Sequence, residues 1–447
     1  MIWVLAAGLV LMLAVAYIAA RRDILSPWTI ACAVFLVSTT IAILNRDRWG
    51  VEIQPATVLV VLGGLLALGA GELAVNHAFD GWRPARGTDA DAVRPATIEV
   101  PAIPLLLFVL FLAAVAYGFF WRIYGISLEG GNPGGFALML KYARERLLQP
   151  GVTIGRVWGH LTLFSRMAGL VFLYIFLSNG VNGGFRLRRL LELAPVLAYV
   201  AIGILGTGRT FFIELLASGV VMGFLLLRTR KGWESSARHT MTFIAASFAA
   251  LAVFFLLFTL TGYLTGKSQL RGAYDTISYY AGMSIPSLDA YLAAPPTGGT
   301  FGGETLYGLR DILRTLGFDV EQTKRTLEFV SFNGFNGNVY TALRRYIQDF
   351  GMLGMLAMQF LVGVLFNLFY QYLRHGRRSG FATVAYGLFS TVLVMMSIEE
   401  KLLFDYASTR LLYSMGYLAV LYLLFVRTPR RRALREAAAA APEEAAA

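Results

Sequence analysis

Cysteine and histidine are almost missing from this 447-residue chain, which has one of the first and four of the second. The single cysteine, Cys32, excludes an intramolecular disulfide and any cysteine-ligated metal site. The histidines, His77, His160, His239 and His375, stand on separate segments, so no metal centre is expected from them. Charge is scarce as well, at 15% of residues. Acids are the scarcer sign, with 27 Asp and Glu against 39 Lys and Arg. Hydrophobic residues make up 57%, which excludes a soluble globular domain. Period-2 alternation is also absent, so helices rather than a closed barrel must satisfy the backbone in hydrocarbon.

What is present is a succession of long apolar runs. A bilayer core needs roughly 20 apolar residues per helix. By that rule about eleven spans are expected, near 2–20, 26–44, 56–75, 102–121, 158–178, 190–206, 210–227, 241–262, 352–372, 380–398 and 405–426. The first run ends at Arg21 without a small-residue cleavage site and reads as a span rather than a removable leader. All seven tryptophans fall at or just beyond span ends, as an interfacial aromatic belt requires. The expected architecture is therefore an all-α, polytopic membrane domain over 1–426, followed by a basic, Ala-rich tail over 427–447 that reads as disordered. No internal repeat is visible.

Arginine placement orients the chain. Loops after odd-numbered spans carry Arg21 and Arg22, then Arg83, Arg86 and Arg94, then Arg186, Arg188 and Arg189. Further basic clusters follow at Arg228–Lys231 and Arg374–Arg378, and in the tail from Arg427. The short loops on the other face hold only Arg46 and Arg48, Arg209, and Lys401. By the positive-inside rule the odd side and the C-terminus are cytoplasmic. The net charge of +12 is then topology and lipid-headgroup contact, and no nucleic-acid partner is expected. Two large loops, 122–157 and 263–350, fall on the far side. Each contains an amphipathic segment suited to the membrane interface: Phe136 to Leu148, and the Leu306, Leu309, Leu313, Leu316 stripe. These helices either float on the headgroups or gate a lipid-facing groove.

Candidate chemistry collects in and beside those loops. Gly206-Thr207-Gly208-Arg209-Thr210 puts Arg209 on a turn opening a helix, where a guanidinium and backbone amides can hold an anion. Arg166 stands about two turns inside the fifth span. An intramembrane arginine is a functional candidate by default, though a buried pair with Glu214 accounts for it equally well. His160 is the one histidine on the far face, and packing explains it better than catalysis does. In the segment Tyr340 to Asp349, Arg345 and Asp349 stand i, i+4 and could form a plain salt bridge. Arg344 has no local partner by spacing and is expected to face the bilayer surface. Glu399, Glu400, Lys401 and Asp405 close one span and open the next. Of these acids, Glu399 or Glu400 is favoured over Asp405 to accept a hydroxyl proton. Asp89-Ala90-Asp91, in a cytoplasmic loop, is treated as chance.

The ordered set Gly206-Thr207-Gly208-Arg209-Thr210, Arg271-Gly272-Ala273-Tyr274, Phe301-Gly302-Gly303-Glu304-Thr305, Asn338-Val339-Tyr340-Thr341 and Asp349-Phe350-Gly351 resembles the Wzy-type O-antigen polymerases, the oligosaccharide repeat-unit polymerases. The resemblance covers residues 200–370 in motif and the whole chain in topology. It implies a GT-C-like integral-membrane glycosyltransferase of the bacterial inner membrane, without cofactor or metal. Its substrates would be undecaprenyl-diphosphate-linked glycans at the periplasmic face. Membrane lipids, a chain-length regulator and a flippase of the same pathway would be its partners. In that reading Arg209, Arg271, Arg344 and Arg345 meet the diphosphate, with Tyr340, Arg166 and His160 as further substrate contacts. Glu399, Glu400 and Asp349 are the catalytic acids. The O-antigen ligase, which delivers finished chains to a lipid A core, shares the topology and the donor and stays an alternative. A lipid-linked oligosaccharide transporter is the non-enzymatic one, though it calls for discontinuous helices in related halves.

Overall fold

The computed structural model describes residues 1–80, 97–131, 134–149, 151–184, 186–208, 210–231, 233, 237–264, 273–296, 301–320, 326–375 and 379–429. Arg209 and Arg271 lie outside them, as do Asp89 to Asp91 and the tail from Arg430. The helices, in chain order, are α1 (Ile2–Ala19), α2 (Pro27–Leu44), α3 (Arg46–Trp49) and α4 (Pro55–Asp80). Next come α5 (Ala102–Leu128), α6 (Phe136–Leu147), α7 (Arg156–Gly183), α8 (Ala194–Leu205), α9 (Thr210–Lys231) and α10 (Ala237–Leu264). The last are α11 (Ala273–Gly282), α12 (Ser284–Ala293), α13 (Tyr307–Thr315), α14 (Ala342–His375), α15 (Gly380–Met395) and α16 (Thr409–Tyr422).

Among the described residues, eight helices are long and apolar enough to cross a membrane. They match eight of the eleven expected runs, and two of the other three are shorter than expected. The run at 190–206 yields only the 12-residue α8, preceded by a 3-10 turn over Leu187–Leu193. The run at 380–398 gives α15, apolar but 16 residues long. The run at 241–262 does form a 28-residue helix, α10. Hydropathy alone counted α8 as a span because it cannot see where a helix stops. Large apolar side chains such as Leu106, Leu110, Leu361 and Leu424 stand exposed on these helices, which in water would promote aggregation. A polytopic, membrane-embedded chain presents them to lipid.

The chain divides into two compact units: Met1–Gly87 with Ala273–Arg378 and Phe389–Leu412, and Thr88–Gly272 with Ser379–Leu388 and Tyr413–Ala447. In the first, Ser26 caps α2 by accepting from the Thr29 amide at 3.3 Å, with Pro27 at the first helical position. Helix α14 packs against α4 with backbone nearly touching backbone. A Cβ on Gly71 would sit 2.2 Å from the Phe360 carbonyl, and one on Gly363 would sit 2.1 Å from that of Leu68. Small residues are what allow such an approach between apolar helices. Polar groups inside this contact are matched: Asn367 donates to the Glu72 carbonyl at 2.7 Å, and Tyr370 to Asp23 at 2.7 Å.

The expectation of helices alone misses one element. Val330–Phe332 (β1) and Phe335–Gly337 (β2) pair antiparallel, with Phe332 opposite Phe335. Asn333 and Gly334 form the turn, both with positive φ, at 47° and 82°. That is the signature of the two-residue turn whose twist suits a hairpin.

The second unit seats α6. Met139, Leu140 and Ala143 are buried with Phe119, Ile123 and Ile126 of α5 and with Ile202 and Leu205 of α8. So α6 is docked on its own unit by one face, while Phe136 and Leu138 remain exposed.

Candidate functional site

The site grows out of a break in α14. Gly351 has φ 69° and ψ −173°, a conformation that glycine adopts without the Cβ penalty. It separates a short segment, 342–350, from the long apolar run that follows. The Ala342 amide is held by the Met396 carbonyl at 2.9 Å. The segment is thereby tied to the end of α15, and all of Ala342 to Tyr346 is buried.

Both arginines point inward. Arg344 is fully buried rather than turned to the bilayer surface, and it has two carboxylate partners. Its Nη1 donates to Glu304, and its Nη2 to Glu328 Oε2 at 2.6 Å. The guanidinium lies 4.8 Å from the Tyr291 ring centre and 5.2 Å from that of Tyr340, so the charge is also met by two π faces. Its Nε is buried with no hydrogen-bond partner. Glu304 is 20% exposed and Glu328 53% exposed, so the pair reaches solvent through Glu328. The i, i+4 spacing hid these partners because they come from 16 and 40 residues earlier in the chain.

Arg345 is nearly as buried. It lies over the Phe404 ring at 4.0 Å and donates to the Glu304 carbonyl oxygen at 3.4 Å. The expected tether to Asp349 gives way to another arrangement. The Asp349 carboxylate accepts from the Glu304 amide at 3.1 Å and the Thr305 amide at 2.6 Å. Those loop amides would otherwise be unmatched, and a carboxylate is their strongest acceptor. Asp349 thus fixes the loop that carries Glu304.

The two favoured acids are in different situations. Glu400 is 1% exposed; its carboxylate accepts from the amides of Leu403 at 3.0 Å and Phe404 at 2.8 Å, and from the Tyr346 hydroxyl at 3.0 Å. It caps the π-turn Leu402–Tyr406. Burial pushes its carboxyl above the usual range, against those hydrogen bonds and Arg345. Glu399 is the accessible one, 32% exposed and 2.9 Å from Lys401. Burial pulls Lys401 down, but Glu399 and Asp405 outweigh it and hold the ammonium above its ordinary value. Burial likewise raises Glu304, with Arg344 and Arg345 opposing. Tyr340 is pushed up to about 12, by burial foremost, so it remains a neutral phenol near pH 7.

Six candidates, Arg344, Arg345, Tyr340, Asp349, Glu399 and Glu400, therefore belong to the first unit. Glu304 and Tyr291 join them; the former was visible only as part of a motif, and neither Tyr291 nor Glu328 carried any sequence signal. Arg166 and His160 belong to the second unit. Arg166, one-quarter exposed, pairs with the buried Glu214, Nε to Oε1 at 2.6 Å alongside a second, parallel contact. His160 Nδ1 meets the Tyr417 hydroxyl at 3.0 Å, with the Tyr413 ring edge-on at 4.7 Å. Of the turn expected to hold an anion, every residue but Arg209 is described; Thr207 has φ 57°, three residues before α9 begins at Thr210. No protein-family model, curated protein or solved structure matches the chain.

Proposed function

We propose that this chain is a multi-pass glycosyltransferase that polymerises undecaprenyl-diphosphate-linked repeat units at the periplasmic face of the bacterial inner membrane. The observation that carries the reading is Arg344. It is a fully buried cation at the head of an apolar helix, and one of its two carboxylate partners is half exposed. A diphosphate arriving along the helix surface could take the Nη2 donor that Glu328 holds. Exchanging one anion for another leaves the guanidinium paired throughout, so the burial cost of the arginine is not incurred again. The buried Nε supplies a further donor of the kind a bridging or terminal phosphate oxygen accepts.

Chemically, the hydroxyl of the incoming lipid-linked unit attacks the anomeric carbon of the growing chain. The new glycosidic bond forms as the bond to the diphosphate breaks, and undecaprenyl diphosphate leaves with that electron pair. Arg344 and Arg345 meet the developing negative charge. The hydroxyl proton passes to Glu399, the more accessible of the two favoured acids. Glu400, occupied by two amides and a phenol, holds the turn instead. Asp349 acts by positioning Glu304.

The test uses purified protein, lipid-diphosphate-linked repeat units and a separation that resolves chain lengths. A ladder of products is expected. Chains delivered only to a lipid A core acceptor would replace this reading with the ligase. Lipid-linked units moved across the bilayer without a new glycosidic bond would replace it with a transporter.

A further inference from the structure

The second unit holds a groove of about 630 Å³ between the start of α5 and the 3-10 turn Leu187–Leu193. Its two walls differ in kind. One is apolar, made by Leu105, Leu106 and Val109 of α5, and Leu106 is 58% exposed. The other is ionic, with Arg186, Arg188 and Glu192. Arg186 and Arg188 are exposed, and their side chains make no ion pair or hydrogen bond among the described residues. Arg189 is not available in the same way, since it donates to the Asn179 carbonyl at 2.6 Å and to that of Gly184.

Glu192 is half satisfied. Its Oε1 accepts from Asn179 at 2.8 Å, and Asn179 is locked to Ile98 by a pair of backbone contacts at 2.7 and 2.9 Å. Its Oε2 is buried and has no hydrogen-bond partner. A carboxylate oxygen in that position calls for a donor. So the groove offers two cations for an anion, the unmatched Glu192 oxygen and the exposed Glu99 carboxylate as acceptors for a donor, and an apolar wall running along a membrane-length helix.

We infer that this groove is a phospholipid site, selecting a phosphodiester headgroup that ends in a hydrogen-bond donor. The phosphate meets Arg186 and Arg188, the terminal ammonium or hydroxyl meets Glu192 Oε2, and one acyl chain lies along Leu105, Leu106 and Val109. The two sources of that chemistry are ethanolamine and glycerol headgroups. A choline headgroup has the same phosphate and no donor, so it serves as the control.

Native mass spectrometry tests this on the purified full chain, released from detergent with equal amounts of dioleoyl phosphatidylethanolamine, phosphatidylglycerol and phosphatidylcholine. The ethanolamine or glycerol lipid should be retained over choline, and the relative adduct populations say which of the two is preferred. Arg186→Gln/Arg188→Gln should weaken retention roughly twenty-fivefold, about fivefold for each cation removed near a lipid phosphate. Glu192→Gln keeps an acceptor for Asn179, and should bring the preferred lipid down to the level of choline. Equal retention of choline by the wild type overturns the proposal without any variant. Unchanged adducts in the double arginine variant overturn it too, as does a preference that survives Glu192→Gln.

Discussion

Arg344 and Glu304 can be tested as a pair, and the pair separates folding from chemistry. Arg344→Met removes a fully buried cation while nearly keeping its volume. Stranding a buried partner typically costs about 3–5 kcal/mol. Here Glu328, half exposed, simply rehydrates. Glu304 is one-fifth exposed, and the Arg345 guanidinium stays 3.9 Å from its Oε2. The expected loss of stability is therefore smaller, about 2–3 kcal/mol. Adding Glu304→Gln removes the stranded charge, so the double variant should recover most of that loss. The coupling between the two sites should be about 1–3 kcal/mol.

Activity should behave differently. If Arg344 meets the leaving diphosphate, both variants lose about a hundred- to a thousandfold in single-turnover transfer. Thermal unfolding in detergent and chain-length analysis on the same preparations read the two quantities. A double variant that regains both stability and polymerisation would falsify the leaving-group role and make Arg344 a structural cation.

Arg166→Leu should lower stability by about 2–4 kcal/mol, and Arg166→Leu/Glu214→Leu should return most of it, because two apolar residues replace a buried pair with little net cost; a double variant as unstable as the single one refutes this. For Glu400, burial raises the folded carboxyl above its ordinary 4.5. Its ionisation therefore opposes folding, with no effect below about pH 4.5 and a growing one as pH climbs through the raised value. The melting-temperature difference, wild type minus Glu400→Gln, should accordingly fall as pH rises from 4 upward, and a difference that grows with pH contradicts the assignment. Glu399→Gln should slow transfer more than Asp405→Asn; equal, normal rates for both mean that the acceptor proton goes elsewhere. Reporter fusions at Asn336 and after Pro429 should fall on opposite faces of the membrane, with Asn336 outside, and a cytoplasmic Asn336 removes the periplasmic reading.

Much of this architecture is written locally. Apolar runs longer than a bilayer core must be helices, because the backbone has no other way to pair its polar groups in lipid. Eight of them stand where hydropathy puts them. Gly351 was legible as the end of one segment and the start of a span, and the pair Arg166–Glu214 was one of the two readings of an intramembrane charge. The Asn333-Gly334 dipeptide is likewise a local hairpin signal, one that the expectation of helices alone left out. What only tertiary structure decided is pairing over distance. Residues 16 and 40 positions away supply the partners of Arg344, and Asp349 turns to loop amides rather than to Arg345. A charge inside a membrane protein takes the partner that best repays its desolvation, wherever along the chain that partner lies. Spacing along one helix reports only neighbours within a turn. The unequal environments of Glu399 and Glu400 were hidden for the same reason, since the Tyr346 hydroxyl that Glu400 accepts from stands 54 residues earlier in the chain.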